Sequence, residues 1–231
     1  MKKSSPTRGP SADATPRSAL LLGASGLVGA RLLALLLESG HYALVHALVR
    51  RPLAAVHPRL RLHVVDFDGI GGLPDFPAVD DVYCCLGTTI RAAGSRPAFR
   101  RVDHDYVVAT ARAAREHGAR RLAVVSALGA DGRSPVFYNR TKGEMEAAVS
   151  ALGYESVTIL RPSLLAGERA ERRAGERLAL ALSRPLAPLI PRRYRPIDAG
   201  AVARAMVHFV LDAAPGVHRV ESDRLQDFVA A

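Results

Sequence analysis

A phenol and an ammonium stand four positions apart in Tyr138-Asn139-Arg140-Thr141-Lys142, and on a helix that spacing brings both to one face. A nearby ammonium favours the phenolate, so such a pair can exchange a proton with a carbonyl or alcohol oxygen at physiological pH. An isolated phenol, with a pKa of about 10, does so poorly. In this division of labour Lys142 tunes and Tyr138 transfers. Upstream, the run Val124-Val125-Ser126-Ala127 ends in a hydroxyl that can hydrogen-bond the same oxygen. Each of the three also has an ordinary use: serine as a cap, tyrosine as a half-buried aromatic, lysine on a solvated face. As an ordered set, Ser126, Tyr138 and Lys142 form a candidate catalytic group.

A second chemical signal is Gly23-Ala24-Ser25-Gly26-Leu27-Val28-Gly29. An apolar run precedes it and a helical pattern follows. A strand feeding a helix in this way presents free backbone N–H groups and the positive end of the helix dipole, and glycines let a pyrophosphate approach the backbone. The expected ligand is a dinucleotide; the plainer reading is a tight strand-to-helix turn. The next strand ends in Val49-Arg50-Arg51-Pro52. NAD binders place an acid there for the ribose hydroxyls, whereas arginine suits the 2′-phosphate of NADP. With no acid at the turn, Arg50 and Arg51 point to NADP(H). Asp66, in Val64-Val65-Asp66-Phe67, is placed either to accept from an adenine amino group or to cap a turn.

The elements that must carry these residues alternate between short apolar runs and helical spacing, the pattern of βα units on a parallel sheet. Strands are expected over Ser18–Leu22, Ala43–Val49, Leu60–Val65, Asp81–Leu86, Arg121–Ser126 and Val157–Leu160, with an edge strand at Val217–Glu221. Helices are expected over Leu27–Ser39, Val102–Gly118, Thr141–Leu152 and Asp198–Asp212, the last capped by Asp198. The fold class is α/β: a doubly wound parallel sheet of Rossmann type, in a single domain with a small C-terminal substrate-binding portion. The domain spans residues 18–231, and residues 1–17, polar and without an apolar pattern, form a disordered tail.

Composition bounds the alternatives. A chain of 231 residues, 48% hydrophobic and 23% charged, is globular and long enough for one core. The glycines and Arg31 that interrupt Ala19–Leu37 exclude a membrane span, and the N-terminus lacks the apolar stretch of a secretory signal. Cys84 and Cys85 are adjacent, which fits neither a disulfide framework nor a zinc ligand set, so no metal is expected and the cytoplasm is the simplest location. The net charge of +10 raises nucleic-acid binding. The tail holds +3 of it, much of the rest lies between Arg169 and Arg195, and no nucleic-acid-reading motif accompanies it, which argues against that partner.

The catalytic set following the glycine loop resembles the short-chain dehydrogenase/reductase superfamily. Five runs narrow the resemblance: Cys84-Cys85-Leu86-Gly87-Thr88-Thr89, Val102-Asp103-His104-Asp105-Tyr106, Ser126-Ala127-Leu128-Gly129-Ala130, Lys142-Gly143-Glu144-Met145-Glu146 and Leu160-Arg161-Pro162. They are similar to the atypical branch typified by the Tat-interacting-protein-like oxidoreductases, over roughly Ala19 to Val210. The resemblance implies that Gly23, Ser25, Gly26, Leu27 and Val28 hold a pyrophosphate and that Arg50 and Arg51 meet the 2′-phosphate. It implies Asp66 and Phe67 flanking adenine, and Leu86, Gly87 and Thr88 on the ribose side. Tyr138 and Lys142 would also bind the nicotinamide ribose, with Pro162, Ser163, Leu164 and Leu165 packed by its amide. Two departures stand out: Ser163 occupies a place where the resemblance leads one to expect glycine, and the active-site asparagine of many superfamily members has no counterpart. Arg161 is expected to be a structural anchor rather than a hydride-site residue.

The segment Glu168–Tyr194 is arginine-rich with an apolar stripe (Leu178, Leu180, Leu182, Leu186, Leu189, Ile190). It fits core packing, a lid over the nicotinamide, or an amphipathic patch for a partner or an anionic membrane surface. Two classes of function follow: an NADPH-dependent reductase of a small carbonyl compound, or a cofactor-sensing binding or assembly protein with little catalysis. An epimerase on the same fold is a third. Substrate identity and oligomeric state are open.

Overall fold

A computed structural model of the protein describes residues 17–166 and 190–229. Seven parallel strands form the main sheet: β1 (Arg17–Leu22), β2 (Tyr42–Val49), β3 (Leu60–Val64), β4 (Asp81–Cys84), β5 (Arg121–Val125), β6 (Ser156–Arg161) and, last in the chain, β9 (Gly216–Glu221). Their spatial order is β3-β2-β1-β4-β5-β6-β9. A parallel sheet covered on both faces requires strands that are apolar throughout, and β1 meets this with Ala19, Leu20, Leu21 and Leu22 all buried. Ala19 and Leu21 pack with α1 (Leu27–Glu38) and the late helix Ala199–Leu211. Leu20 and Leu22 belong to the opposite layer, with the helices Tyr106–Glu116 and Phe137–Ser150. This is the doubly wound Rossmann architecture that the alternating pattern predicts.

The order reverses between β1 and β4, and in such sheets ligands sit beyond the strands' C-terminal ends at that point. The segments leaving β1 and β4 therefore face each other across the crevice. A bridge-like cluster marks the other end of these strands: buried Asp81 accepts from the Tyr42 hydroxyl at 2.8 Å and pairs with Arg17 and Arg121.

Several boundaries differ from expectation for local reasons. Arg17, assigned to the tail, is the first residue of β1, held by its pairing with Asp81; residues 1–16 lie outside the described residues. The expected helix over Val102–Gly118 is the end of a longer run: α2 (Ile90–Ala93), α3 (Arg96–Arg100), a π-helical turn over Arg101–Asp105, then α4 (Tyr106–Glu116). Helix α5 starts at Phe137 rather than Thr141, so Tyr138 and Lys142 both lie on it. Helix α6 (Ala199–Leu211) has the expected cap, Asp198 accepting from the Ala201 N–H at 3.1 Å. A second, two-stranded parallel sheet joins β7 (Leu165–Ala166) to β8 (Ile197–Asp198). The stripe Leu178 to Leu189 lies outside the described residues, and of the segment Glu168–Tyr194 only 190–194 is described. No helix among the described residues is long and apolar enough to cross a membrane.

Candidate dinucleotide and proton-transfer site

The glycine turn is built by close backbone approach. Gly23 adopts φ +80°, and a Cβ there would lie 2.5 Å from the Cys85 carbonyl oxygen, so the loops after β1 and β4 touch only because this residue is glycine. A Cβ on Gly29 would fall 2.0 Å from the Gly23 carbonyl oxygen, which seats the first turn of α1 against the loop. Gly26 is the N-cap of α1 and supplies no side-chain cap, no acid stands in the first turn, and Ser25 is exposed. A helix start with uncapped N–H groups and no competing carboxylate fits a pyrophosphate. Leu27 and Val28 open the helix, Val28 buried beneath it.

Arg50 and Arg51 are exposed directly beyond β2, the strand beside β1. Asp66 caps the turn Phe67–Gly72, accepting from the Asp68 N–H at 3.0 Å, which is the capping alternative of the sequence. The expectation for Phe67 needs correction. Its ring is buried against Tyr106, with centroids 5.5 Å apart, so only its backbone is available beside a base. Beyond β4, Leu86 and Thr88 are half-buried and Gly87 is exposed.

On α5, Tyr138, Lys142 and Glu146 recur every four residues and form one stripe. Each meets a different element. The Tyr138 ring packs 5.3 Å from that of Phe99 on α3. Lys142, 3% exposed, places Nζ 2.8 Å from Oδ1 of Asp103, which is 1% exposed in the π-turn. Burial works to lower the Lys142 pKa, but the Asp103 charge, with Tyr138 and Cys84, outweighs it and holds the ammonium above its ordinary value. Burial also raises Tyr138; Lys142 lowers it and Asp103 raises it. The idea that the lysine alone brings the phenol toward ionisation is therefore corrected: desolvation and a facing carboxylate oppose it.

Ser126 likewise departs from expectation. Its hydroxyl, buried after β5, donates to Glu146 Oε1 at 2.5 Å, and among the described residues this is its side-chain partner rather than Tyr138 or Lys142. Arg161, at the end of β6, donates to both Glu146 oxygens at 2.9 and 2.5 Å and to Glu221 at 3.0 Å. That is the anchoring role expected of it. The loop after β6 is held from both sides: the Pro162 carbonyl accepts from the Leu128 N–H at 2.9 Å, and the Ser163 N–H donates to Ser222 at 3.1 Å. The Ser163 hydroxyl bonds the Arg195 carbonyl. Pro162 is buried, Leu164 is 65% exposed, and Leu165 begins β7.

Asp103, Glu146 and Glu221 have no role assigned by the sequence alone. Glu146 does carry a signal, since it continues the Tyr138–Lys142 spacing by one more turn onto a face otherwise lined by Thr141, Met145 and Val149. Asp103 carries none beyond its place in a motif run.

Residues 23–212 match the NAD(P)H-binding family. The chain is 38% identical over 167 residues to the rat protein HTATIP2, covering 71% of this chain and 69% of that one. It is 36% identical over 211 residues to the mitochondrial protein fmp52 of Aspergillus clavatus, covering 85% and 88%. Its fold is similar to that of a short chain dehydrogenase family protein of Francisella tularensis, with a TM-score of 0.68 at 12% identity, covering 92% of this chain and all of the other.

Proposed function

Because the chain belongs to the NAD(P)H-binding family, in the atypical branch of the short-chain dehydrogenases/reductases, we propose that it is an NADP(H)-dependent oxidoreductase of a small carbonyl compound. The observation that carries this reading is the Tyr138–Lys142 pair one turn apart on α5, with Tyr138 half-buried and Lys142 buried beside Gly87 of the loop that follows β4.

The pyrophosphate would lie on the α1 N-terminus at Gly23, Ser25 and Gly26, with Arg50 and Arg51 meeting the 2′-phosphate. Leu86, Gly87, Thr88, Tyr138 and Lys142 would line the riboses, and Pro162, Leu164 and Leu165 the nicotinamide side. When bound, the reduced nicotinamide supplies a hydride. Tyr138 gives its hydroxyl proton to the carbonyl oxygen as the new C–H bond forms, and its phenol, kept protonated by burial, suits that direction. Lys142, paired with Asp103, keeps its charge and would hold the nicotinamide ribose. The exposed Leu164 and the segment tied down by Arg192–Asp227 and Arg193–Glu221 would border the substrate.

The test is turnover of a panel of quinones, aldehydes and ketones followed by NADPH absorbance. Wild type is expected to turn over at least one, and Tyr138→Phe to lose that turnover while NADPH binding, measured by calorimetry, is largely kept. Undiminished turnover in Tyr138→Phe refutes the assignment. One observation favours a second reading, a cofactor-sensing binding protein: the Ser126 hydroxyl is already committed to Glu146. Tight NADPH binding with no turnover on any substrate would select it. The location is equally a proposal; a cytoplasmic protein is simplest from the two unpaired cysteines, while the fungal relative is named mitochondrial.

A further inference from the structure

The carboxylate of Asp103 is spent on two partners from different parts of the fold. Oδ1 lies 2.8 Å from Lys142 Nζ on α5, and Oδ2 accepts the Thr88 N–H at 2.8 Å from the loop beyond β4. The π-helical turn Arg101–Asp105 brings it there: Asp103 is buried, whereas Arg101 and Asp105 of the same turn are exposed. Such turns insert one residue into a helix and re-aim its side chains. Gly87 closes over the pair. A Cβ at that position would stand 3.4 Å from Asp103 Oδ1 and 3.9 Å from Lys142 Nζ.

We infer that Asp103 is a positioning residue: its carboxylate fixes the Lys142 ammonium beneath the loop after β4 and cancels that charge beside the Tyr138 phenol. The catalytic meaning rests on the proposed reductase reading; the electrostatic one does not. Among the described residues, the charged and titratable groups concerned are few. Lys142 shares the helix with Tyr138, Asp103 faces both from the π-turn, and Cys84 faces Lys142 from β4 with its thiol pushed up to about 11 by burial, hence neutral. The pair is thus one cation and one anion. An ammonium facing the phenol alone would draw it toward the phenolate, the form that accepts a proton from an alcohol. With Asp103 opposed to it, the phenol keeps its proton and is set to give it to a carbonyl oxygen. The device favours reduction.

Asp103→Asn removes the charge, and one amide can offer an oxygen to only one of the two partners. Tyr138 should then ionise at lower pH, and the alkaline decline of carbonyl reduction should move to lower pH with it. Asp103→Glu, which keeps the charge, should restore both toward wild type. The primary readout needs neither cofactor nor turnover: tyrosinate absorbance against pH for wild type and Asp103→Asn, each minus its Tyr138→Phe counterpart. Identical Tyr138 titrations in the two proteins overturn the inference, even if the enzyme is an active reductase. A shift to lower pH upholds the electrostatic role even if no substrate is found. Should Asp103→Asn fail to fold, the double variant Asp103→Asn/Lys142→Gln, which keeps the pair neutral, decides by the same difference titration: a Tyr138 ionisation matching wild type supports the cancellation, and a displaced one overturns it.

Discussion

Replacing Ser126 by alanine separates two roles that predict opposite outcomes. If its hydroxyl orients a substrate oxygen, the loss falls on turnover and stability is untouched. The structure instead has it donating at 2.5 Å to Glu146, with both residues buried, at 4% and 2% exposure. A hydrogen bond to a charged group contributes about 1.5–3 kcal/mol. Glu146 retains both Arg161 donors after the substitution, so its carboxylate is not left bare, and the lower half of that range applies, roughly 2 kcal/mol. For a domain of this size about 1 kcal/mol moves the midpoint by about 2–4 °C, so the melting temperature should fall by about 4–8 °C. Differential scanning calorimetry reads this directly, and NADPH turnover on the same preparations gives the second axis. In a Glu146→Gln background the serine should matter less, since its acceptor has lost its charge. An unmoved melting temperature together with lost turnover would refute the anchoring argument and return Ser126 to the substrate.

Replacing Arg50 and Arg51 together by alanine should weaken NADPH about a hundredfold, taking about 1.5 kcal/mol for each charge-assisted bond at an exposed position, and leave NADH nearly unchanged. Paired calorimetric titrations check it, and an equal loss for both cofactors would show that the arginines do not read the phosphate. The glycines of the turn should divide. Gly29→Ala puts a Cβ 2.0 Å from a backbone oxygen and should prevent stable folding, whereas Gly26→Ala, at 3.2 Å, should fold and bind NADPH more weakly. A melting temperature for Gly29→Ala equal to wild type would contradict the packing described.

The parts of the site that were legible are those whose chemistry is local in the chain. The glycine turn is announced by its own strand and helix, and the pair Tyr138–Lys142 by a spacing that any helix converts into proximity. What escaped depends on register. Whether Ser126 or Ala127 faces the crevice turns on the alternation at the end of β5, and a shift of one residue exchanges the faces. The π-turn is equally silent, because one inserted residue leaves the helical pattern of 96–116 intact while re-aiming every side chain near it. Phe67 misled for a related reason: its motif position concerns backbone, while its ring goes to the core.

The polar contacts missed in this way share a logic. Helix α5 carries the proposed chemistry, and three ionisable or hydrogen-bonding groups stand on its inward stripe, where apolar residues would pack more cheaply. Buried charges are weak contributors to stability, and pairs of them can be replaced by apolar groups at little cost. Their value lies in direction. Lys142 is bound to the π-turn, and Glu146 to the ends of β5 and β6, the latter continuing through Arg161 to Glu221 on β9. Apolar packing alone would let α5 slide or rotate by fractions of an ångström at small cost, because dispersion contacts have no preferred direction. Charged pairs at fixed distances oppose that motion, and a proton donor must be held to about that tolerance for efficient transfer. The same helix face therefore serves twice, its N-terminal half in proton transfer and its next turn in keeping that half in place.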